Sequence, residues 1–365
     1  MLARFADDGV PAAVVSGSDL RFAFDPVETL KDLLYERYMD TSRPVTSKLP
    51  FHYHRIPGPV RLWAQKLLSH LSVARDEGFP AWPIEPAAEA LRRLVTVAIE
   101  AVANKPFPLH KSPWPELKRF VVVLSHDMDT ARSFAAIEKT AEMEEKRGLR
   151  SCWNVVGALY RHDHAALEAI YSAGHEIALH GYNHDNKLAY LSRAEIENRL
   201  NACAEFAKRY SVLGFRAPSL LTSDALDAAV ARRFMWSSST IDSDINSIIA
   251  PRRGVCSIFP FFKNRLLEIP LTIPLDDRLM VLGYRGDAFF DLVMKKVDWI
   301  AEVGGVVFLG NHPEPHISGN TKMLAIYERL LDALMARDDA WFALPSDLAR
   351  HWRNMLGVPW QPDSL

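Results

Sequence analysis

One stretch of the chain decides its fold class: Phe120-Val121-Val122-Val123-Leu124-Ser125-His126-Asp127-Met128-Asp129. Its first half is an unbroken apolar run, which predicts a strand covered on both faces, as in a parallel sheet. Its end carries two carboxylates at a spacing of two, and an extended chain places such side chains on one face. Because neighbouring carboxylates repel each other, Asp127 and Asp129 predict a bound cation or a shared proton. The alternative is a solvated acidic loop or a cap for the next helix.

Downstream of this stretch, short apolar segments alternate with segments of helical spacing. Further strands are predicted at 151–156, 175–179, 212–215, 235–240, 266–273 and 305–310. Helices are predicted at 134–147, 164–173, 192–209, 223–233, 287–303 and 321–337. About seven strands joined by crossover helices indicate an α/β fold with a parallel sheet. We expect the sheet to close into a barrel, with an open sheet as the alternative, and in both the chemistry belongs at the carboxyl ends of the strands.

The first part of the chain has a different amino-acid composition. Residues 1–115 are rich in proline and aromatic side chains, as in Phe79-Pro80-Ala81-Trp82-Pro83. Helices are expected at 58–75 and 84–103, and in the second the apolar residues recur at helical spacing. We therefore predict a mainly helical cap segment over 1–115 that wraps an α/β domain over 116–365.

The composition restricts the function classes. The chain has 365 residues and a formal net charge of −2, without a long basic run, which argues against nucleic acid as a partner. Its three cysteines lie far apart and predict neither a disulfide framework nor a thiolate zinc site. No apolar run is long enough to span a membrane, and the first residues lack the apolar stretch of a signal peptide. We expect a cytoplasmic protein, and leave open whether it is a homo-oligomer.

Two histidines follow the strand predicted at 175–179. His180 and His184 are four residues apart, which in a helical turn would put both imidazoles on one side, as a divalent metal requires. The alternative is a pair of unrelated polar residues on an exposed loop. His175 and Asp185 flank the pair and could support it from behind. One carboxylate and two imidazoles leave positions open for water and substrate, which is typical of a catalytic metal site.

Three more polar residues follow later strands. Arg216 could hold a carboxylate through paired hydrogen bonds, or it is a surface arginine before a turn. Asp242 either orients Arg216 or caps a turn. His312 lies at the exit of the strand predicted at 305–310, where it could act as a general acid, with a structural histidine as the alternative.

Other side chains give weaker indications. Asp276 and Asp277 are expected near the same carboxyl ends of the strands, with their role left open. Four aromatic residues could line a sugar-binding groove, although most aromatics in such a domain belong to the core: Trp153, Tyr182, Trp236 and Tyr284.

Five of these segments, in this order, resemble the motifs of the polysaccharide deacetylases, carbohydrate esterase family 4, also called the NodB-homology group. They are Ser125–Asp129, His180–His184, Arg216–Pro218, Ile241–Ser243 and Leu309–His312. The resemblance covers about residues 119–345 and leaves out the first segment. Many members have adjacent acids in the first motif, whereas Met128 separates them here. This D-x-D pattern is similar to a divergent branch that includes enzymes acting on smaller amides.

The resemblance implies the family's fold, a distorted, incomplete (β/α) barrel. Carried over by position, it implies that one divalent metal, with zinc expected, is bound by Asp129, His180 and His184. Asp127 would be the general base that activates the metal-bound water. Arg216 would hold Asp127, with Asp242 behind it, and His312 would protonate the leaving amine.

The activity that the resemblance implies is removal of an N-acetyl group from an amino sugar, in a glycan or a glycan precursor, by attack of a metal-bound water. The implied partner is a sugar or glycan substrate. Two alternatives stay open. One is a hydrolase of another small or formyl amide on the same scaffold, and the other is a catalytically silent glycan-binding protein.

Overall fold

The computed structural model of the chain describes residues 3–4, 11–16, 18–38, 43–49, 67, 79–104, 112–244 and 254–361. The described strands are β1 (Ala3–Arg4), β2 (Pro11–Ser16), β3 (Asp19–Phe22), β4 (Phe120–Met128), β5 (Cys152–Val155), β6 (Glu176–Leu179), β7 (Gly214–Phe215), β8 (Trp236–Ser237), β9 (Phe261–Lys263), β10 (Leu266–Glu268), β11 (Val306–Asn311) and β12 (Ala340–Phe342). The described α-helices are α1 (Pro26–Leu34), α2 (Val45–Lys48), α3 (Ala87–Ala103), α4 (Ile137–Glu145), α5 (His164–Ser172), α6 (Arg193–Asn201), α7 (Ala204–Arg209), α8 (Asp224–Ala231), α9 (Asp276–Val281), α10 (Gly286–Val303), α11 (Thr321–Met335) and α12 (Pro345–Leu356).

A nine-stranded sheet forms the centre of the described part of the chain, in the order β11-β4-β5-β6-β7-β8-β10-β9, with β12 beside the first half of β4. All neighbouring pairs are parallel except the β9–β10 hairpin. The sheet curls until the chain after β10 meets β11, where the Ile273 N–H donates to the Phe308 carbonyl over 3.2 Å. The predicted α/β fold, a distorted and incomplete (β/α) barrel, is confirmed.

The strand β4 is buried along its whole length, as its sequence predicts. Phe120, Val122 and Leu124 pack in the core cluster that contains α10 and α11 residues, whereas Val121 and Val123 pack in the cluster that contains β8 and β11 residues. Burial of each large apolar side chain contributes about 1.5–3 kcal/mol. Because both faces are filled, the strand is fixed in register, and the polar residues at its end are held at the edge of the barrel.

The elements predicted after residue 116 are present, most of them with shorter bounds, although β4 extends to Met128 and is longer than the predicted apolar run. The seven predicted strands correspond to β4, β5, β6, β7, β8, β10 and β11. The helix predicted at 192–209 is divided into α6 and α7. The sequence did not predict α9, α12, β9 or β12, and the two strands have only three residues each, too few to show a period.

The N-terminal segment contains a small sheet that the sequence did not predict. The strands β1, β2 and β3 form a three-stranded antiparallel sheet. The helix predicted at 84–103 is confirmed as α3. The helix predicted at 58–75 lies outside the described residues, apart from Leu67.

The N-terminal segment packs directly against the barrel. Leu33 of α1 and Ala88 of α3 form a buried apolar cluster with Cys256. On the same side, Arg92 of α3 donates to the Ser257 hydroxyl over 3.1 Å. Among the described residues, no helix combines the length and apolar character that a membrane crossing requires.

Candidate metal and catalytic centre

The polar ends of neighbouring strands meet because the strands are parallel and in register. In the β4–β11 ladder, His126 lies opposite Asn311, one residue before Asp127 and His312 respectively. The strand β6 ends at Leu179, immediately before His180. The carboxyl ends of β4, β6 and β11 therefore bring their polar residues to one edge of the barrel, where α/β folds carry their sites.

The structure brings Asp129, His180 and His184 together. The Asp129 Oδ1 atom lies 3.1 Å from the Nε2 atoms of both histidines. One ligand atom from each residue lies within 4.8 Å of the other two. Ligand atoms that share a zinc ion at about 2.0–2.2 Å are about 3.3–3.6 Å apart in a tetrahedral arrangement, close to the observed separations. The donor set and its spacing thus fit one divalent metal ion.

The main chain orients the first of these imidazoles. His180 Nδ1 lies 3.0 Å from the main-chain carbonyl oxygen of Arg216. Since a carbonyl oxygen only accepts, Nδ1 carries a hydrogen, and Nε2 is the ring nitrogen directed to Asp129. Nε2 would ligate a metal after giving up its own proton, so the contact supports the fit to a metal.

The segment between the two histidines is a bent loop and not the helical turn that their spacing favours, and Gly181 and Asn183 in it are residues that suit a tight turn. Gly181 and His184 both have left-handed backbone conformations, with φ of 65° and 54°. A Cβ atom at position 181 would lie 2.6 Å from the Pro218 side chain. The loop can turn both imidazoles toward one carboxylate only because glycine tolerates this conformation and this close approach.

The three candidate metal ligands attract a proton as well as a cation. Burial raises the pKa of Asp129, but His184 and hydrogen bonds from both histidines outweigh burial and hold this pKa well below its usual value. Burial lowers the pKa of His184, but Asp129 outweighs burial and raises it. A metal would have to displace the proton that these groups share, so the affinity for the metal should decrease as the pH falls.

Asp127 is held as a buried carboxylate by an arginine. Arg216 Nη1 donates to Asp127 Oδ1 over 2.6 Å, and Arg216 is completely buried. Its other donors are directed to Ser125 and Ser238. Burial raises the pKa of Asp127, but the Arg216 guanidinium outweighs burial and lowers it below the ordinary value. Asp127 is therefore an ionised carboxylate at neutral pH.

A second partner of Asp127 was not predicted from the sequence. Asn154 on β5 lies opposite Asp127 in the β4–β5 ladder and donates from Nδ2 to Asp127 Oδ1 over 2.7 Å. Asn154 is completely buried. A polar residue within the otherwise apolar strand predicted at 151–156 was the signal that could have revealed it.

The predicted position of Asp242 behind Arg216 is wrong. Asp242 instead pairs with Lys296 of α10, whose Nζ lies 2.8 Å from both carboxylate oxygens. Both side chains are buried, and burial raises the pKa of Asp242 to about 6 against the opposing effect of Lys296. The reason lies in the backbone, because Ser238, directly after β8, occupies the place beside Arg216, and four further residues carry Asp242 toward α10.

His312 is oriented by Asp276, the residue whose role the sequence left open. His312 Nδ1 lies 2.6 Å from Asp276 Oδ1, and the His312 main-chain N–H donates to Asp276 Oδ2 over 2.7 Å. The other ring nitrogen, Nε2, is 3.8 Å from Asp129 Oδ2. Burial lowers the pKa of His312, but Asp276 and Asp277 outweigh burial and raise it well above the ordinary value.

Two residues that were expected to support the histidine pair have other hydrogen-bond partners. His175 accepts from the Ser151 main-chain N–H, and Asp185 pairs with Arg199 at 2.9 Å. Two of the aromatic residues proposed for a sugar groove, Trp153 and Trp236, have 0% exposure and belong to the core.

Comparison with solved structures places the fold. A protein from Mycobacterium smegmatis assigned as a polysaccharide deacetylase has a TM-score of 0.54 and 20% identity, over 69% of this chain and 95% of its own. Another, from Pseudomonas aeruginosa PAO1, has a TM-score of 0.55 and 18% identity, over 70% and 97%. Puue allantoinase has a TM-score of 0.53 and 20% identity, over 67% and 93%. No protein-family model and no curated protein matches the chain.

The chain thus has the polysaccharide deacetylase fold, as its five segments predicted. At the carboxyl edge of that fold it carries a candidate metal site, with a buried carboxylate–arginine pair and a carboxylate–histidine pair beside it.

Proposed function

We propose that this chain is a metal-dependent hydrolase that removes an N-acetyl group from an amino sugar, in a glycan or a glycan precursor. The observation that carries the proposal is the placement of two proton-transfer groups beside one metal-ligand set. The charges of Asp127 and His312 each act on Asp129 and on one another. Hydrolysis of an amide requires a base for the water, an acid for the leaving nitrogen and a centre that polarises the carbonyl group.

Asp127 is the proposed base. Arg216 and Asn154 both donate to its Oδ1 atom, so we assign Oδ2 to proton transfer. Arg216 keeps the carboxylate ionised and fixed, and Asp127 accepts a proton from the water as that water attacks the acyl carbon. A bound divalent metal, proposed to be zinc, would polarise the carbonyl group and lower the pKa of the water.

His312 is the proposed acid. Asp276 occupies Nδ1, so the proton that His312 can transfer is on Nε2, the ring nitrogen nearer to Asp129. Its raised pKa keeps the imidazole protonated near neutral pH. When the C–N bond breaks, His312 donates this proton to the leaving nitrogen, and the products are acetate and a free amine.

A hydrolase of another small amide, including a formyl amide, is the second candidate function. The TM-score to Puue allantoinase, 0.53, is almost the same as the 0.54 and 0.55 to the two assigned deacetylases. The fold therefore favours neither substrate class over the other, and the D-x-D spacing of Asp127 and Asp129 is the feature that favours the smaller amides.

The experiment is an assay of purified protein with and without added Zn²⁺ or Co²⁺. We expect about one ion per chain and release of acetate from N-acetylhexosamine conjugates. The panel also contains formyl amides and small acetamides. The double variant Asp129→Ala, His180→Ala should lose both the ion and the activity. Asp287→Ala, which removes a carboxylate that is 81% exposed, is the control and should change neither.

Full activity of the double variant would reject the proposal. Acetate release from small acetamides alone would favour the second candidate. Binding of the sugar without turnover, with the metal present, would favour the silent glycan-binding protein.

A further inference from the structure

A buried glutamate beside the centre has no role in the mechanism above. Glu314 lies two residues after His312 and is 1% exposed. Its Oε1 atom accepts three hydrogen bonds, from the Thr130 main-chain N–H at 3.0 Å, the Thr130 hydroxyl at 3.3 Å and the Ser133 hydroxyl at 2.7 Å. Three donors on one oxygen hold this carboxyl group in a single orientation.

These hydrogen bonds join the loop that follows β4 to the loop that follows β11. Thr130 directly follows Asp129, the candidate metal ligand, and Glu314 belongs to the loop of His312. The β4–β11 ladder ends at the pair His126–Asn311. Beyond that point, the contacts of Glu314 continue the connection between the two chain segments.

The loop that carries Glu314 is itself closed. The Ile317 and Gly319 main-chain N–H groups both donate to the Glu314 carbonyl oxygen over 2.9 Å. The Ser318 N–H donates to the His312 carbonyl oxygen over 3.0 Å. A Cβ atom at position 319 would lie 2.2 Å from the Pro313 carbonyl oxygen, so the loop closes tightly only with glycine there. The loop therefore transmits the position of Glu314 to His312.

The charge of Glu314 also acts on the centre. Burial and the charge of Asp129 together raise the pKa of Glu314 to about 7, against the opposing effect of His312. The Oε2 atom is buried and has no hydrogen-bond partner within the part of the chain that the structure describes. Keeping a carboxyl group in such a place costs free energy, which stability alone does not explain because an apolar side chain would avoid that cost.

We propose that Glu314 is a positioning residue that sets the distance between the Asp129 carboxylate and the His312 imidazole. Glu314 acts through its Oε1 atom, which fixes the main chain at Thr130 next to the metal ligand. The proposal rests on the proposed function for its kinetic consequences, but not for its effect on the metal site. The separation that it sets is the 3.8 Å between His312 Nε2 and Asp129 Oδ2.

Two variants of the full chain test whether the hydrogen-bond acceptor of Glu314 is needed. Glu314→Gln keeps an oxygen that can accept from Thr130 and Ser133, whereas Glu314→Ala removes it. We expect Glu314→Ala to lower kcat about 10–100-fold with KM within about 2-fold, because a displacement of about 1 Å at a reacting group costs up to about 10²-fold. Glu314→Gln should stay within about 3-fold of the wild-type kcat. Ser133→Ala, which removes one of the three donors, should lie between them.

A second readout needs no substrate. The visible absorption spectrum of the Co²⁺-loaded protein reports the geometry of the metal ligands, and competition with a chelator gives the affinity. Glu314→Ala should change the spectrum and weaken Co²⁺ binding about 10-fold or more, in line with the effect of residues that orient ligands. Glu314→Gln should resemble the wild type.

The outcomes are distinct. A folded Glu314→Ala variant with the wild-type Co²⁺ spectrum and affinity overturns the proposal, and so does a Glu314→Gln variant that loses as much as Glu314→Ala. If the wild type hydrolyses none of the amides, the proposed function fails, but the Co²⁺ measurements still support or overturn the role of Glu314. Thermal melting of each variant shows that the spectra are recorded on folded protein.

Discussion

At the scale of single residues, each of the two proposed proton-transfer groups is paired with one residue of opposite charge. Arg216 holds Asp127 in its ionised form, and Asp276 holds His312 in its protonated form. The two pairs shift the pKa values in opposite directions, downward for the carboxyl group of Asp127 and upward for the imidazole. A base and an acid can therefore both be in their active forms at the same pH.

Removal of Arg216 should move the acidic limb of the pH profile. Asp127 must be ionised to accept a proton, so activity is lost as the pH falls through its pKa. In Arg216→Met, burial is no longer opposed by the guanidinium, the pKa of Asp127 rises, and the limb of kcat/KM moves to higher pH. The variant should also unfold more easily, by about 3–5 kcal/mol, since it leaves a buried charge unpaired. Arg209→Met, which removes an exposed ion pair, is the control, and an equal shift there would contradict the assignment.

Substitution of Asp276 should move the basic limb of the pH profile. His312 acts in its protonated form, so activity is lost as the pH rises through its pKa. Asp276→Asn removes the largest influence that raises this pKa, and the basic limb of kcat/KM should move to lower pH. We also expect kcat to fall about 10–100-fold, since the imidazole loses its orientation. Asp277→Asn is the matched comparison because Asp277 raises the pKa less, and its shift should be smaller. Identical profiles for Asp276→Asn and the wild type would remove His312 from the role of acid.

The sequence indicated which residue types lie at the site better than it indicated their partners. The order of the strands and the rule that chemistry lies at their carboxyl ends were enough to propose Asp129, His180 and His184 as a group. The partner of Asp242 was not accessible in this way. Asp242 faces Lys296 because of the path of the backbone after β8, and no local pattern shows which helix residue a loop carboxylate will meet.

At the scale of elements, strands that are buried on both faces could be predicted from the sequence, whereas loop conformations could not. The unbroken apolar run of β4 fixes its type and burial. The loop at 180–184 depends on left-handed backbone at Gly181 and His184, and histidine is only a weak sequence signal for that conformation, because few non-glycine residues adopt it. Spacing alone favoured a helical turn, but the left-handed backbone at these two residues makes a bend instead.

A substitution at Gly181 should lower both the stability of the protein and its affinity for metal. Gly181→Ala places a methyl group 2.6 Å from Pro218 at a φ of 65°, whereas Gly148→Ala has a φ of 69° and no atom within 4 Å. The control therefore isolates the backbone cost, about 1 kcal/mol. We expect Gly181→Ala to lose about 1–3 kcal/mol more in urea unfolding, and to bind metal more weakly because the imidazoles shift. Equal losses for the two variants would show that the approach to Pro218 is unimportant.

At the scale of the whole molecule, the N-terminal segment and the barrel share buried surface. The carboxylate of Glu89 in α3 accepts from the Ile258 main-chain N–H over 3.1 Å and lies 2.6 Å from Arg92. The sequence predicted a wrapping segment from its prolines and aromatics, but not its sheet. The reason is that β1 and β3 have only two and four residues, which are too few to show a period.

This shared surface predicts a single unfolding transition. Leu33→Ala removes a side chain that packs against Ala88 and Cys256, and should cost about 2–3 kcal/mol. If the segment folds together with the barrel, circular dichroism and tryptophan fluorescence should show one coincident transition, shifted as a whole. Leu356→Ala, at a side chain that is 50% exposed, should shift it little. A separate early transition in Leu33→Ala would show that the segment is an independent domain.

Two contacts of the N-terminal segment fall on loops that leave the barrel at its reactive edge. Asn186, after β6, donates to the Thr46 hydroxyl over 3.3 Å, and Ser243, after β8, donates to the Pro83 carbonyl oxygen over 3.1 Å. The surface beside these two loops is therefore formed in part by chain that precedes the strands of the candidate site. A change in this earlier segment would alter that surface while the candidate ligands and the proposed proton-transfer groups stay the same.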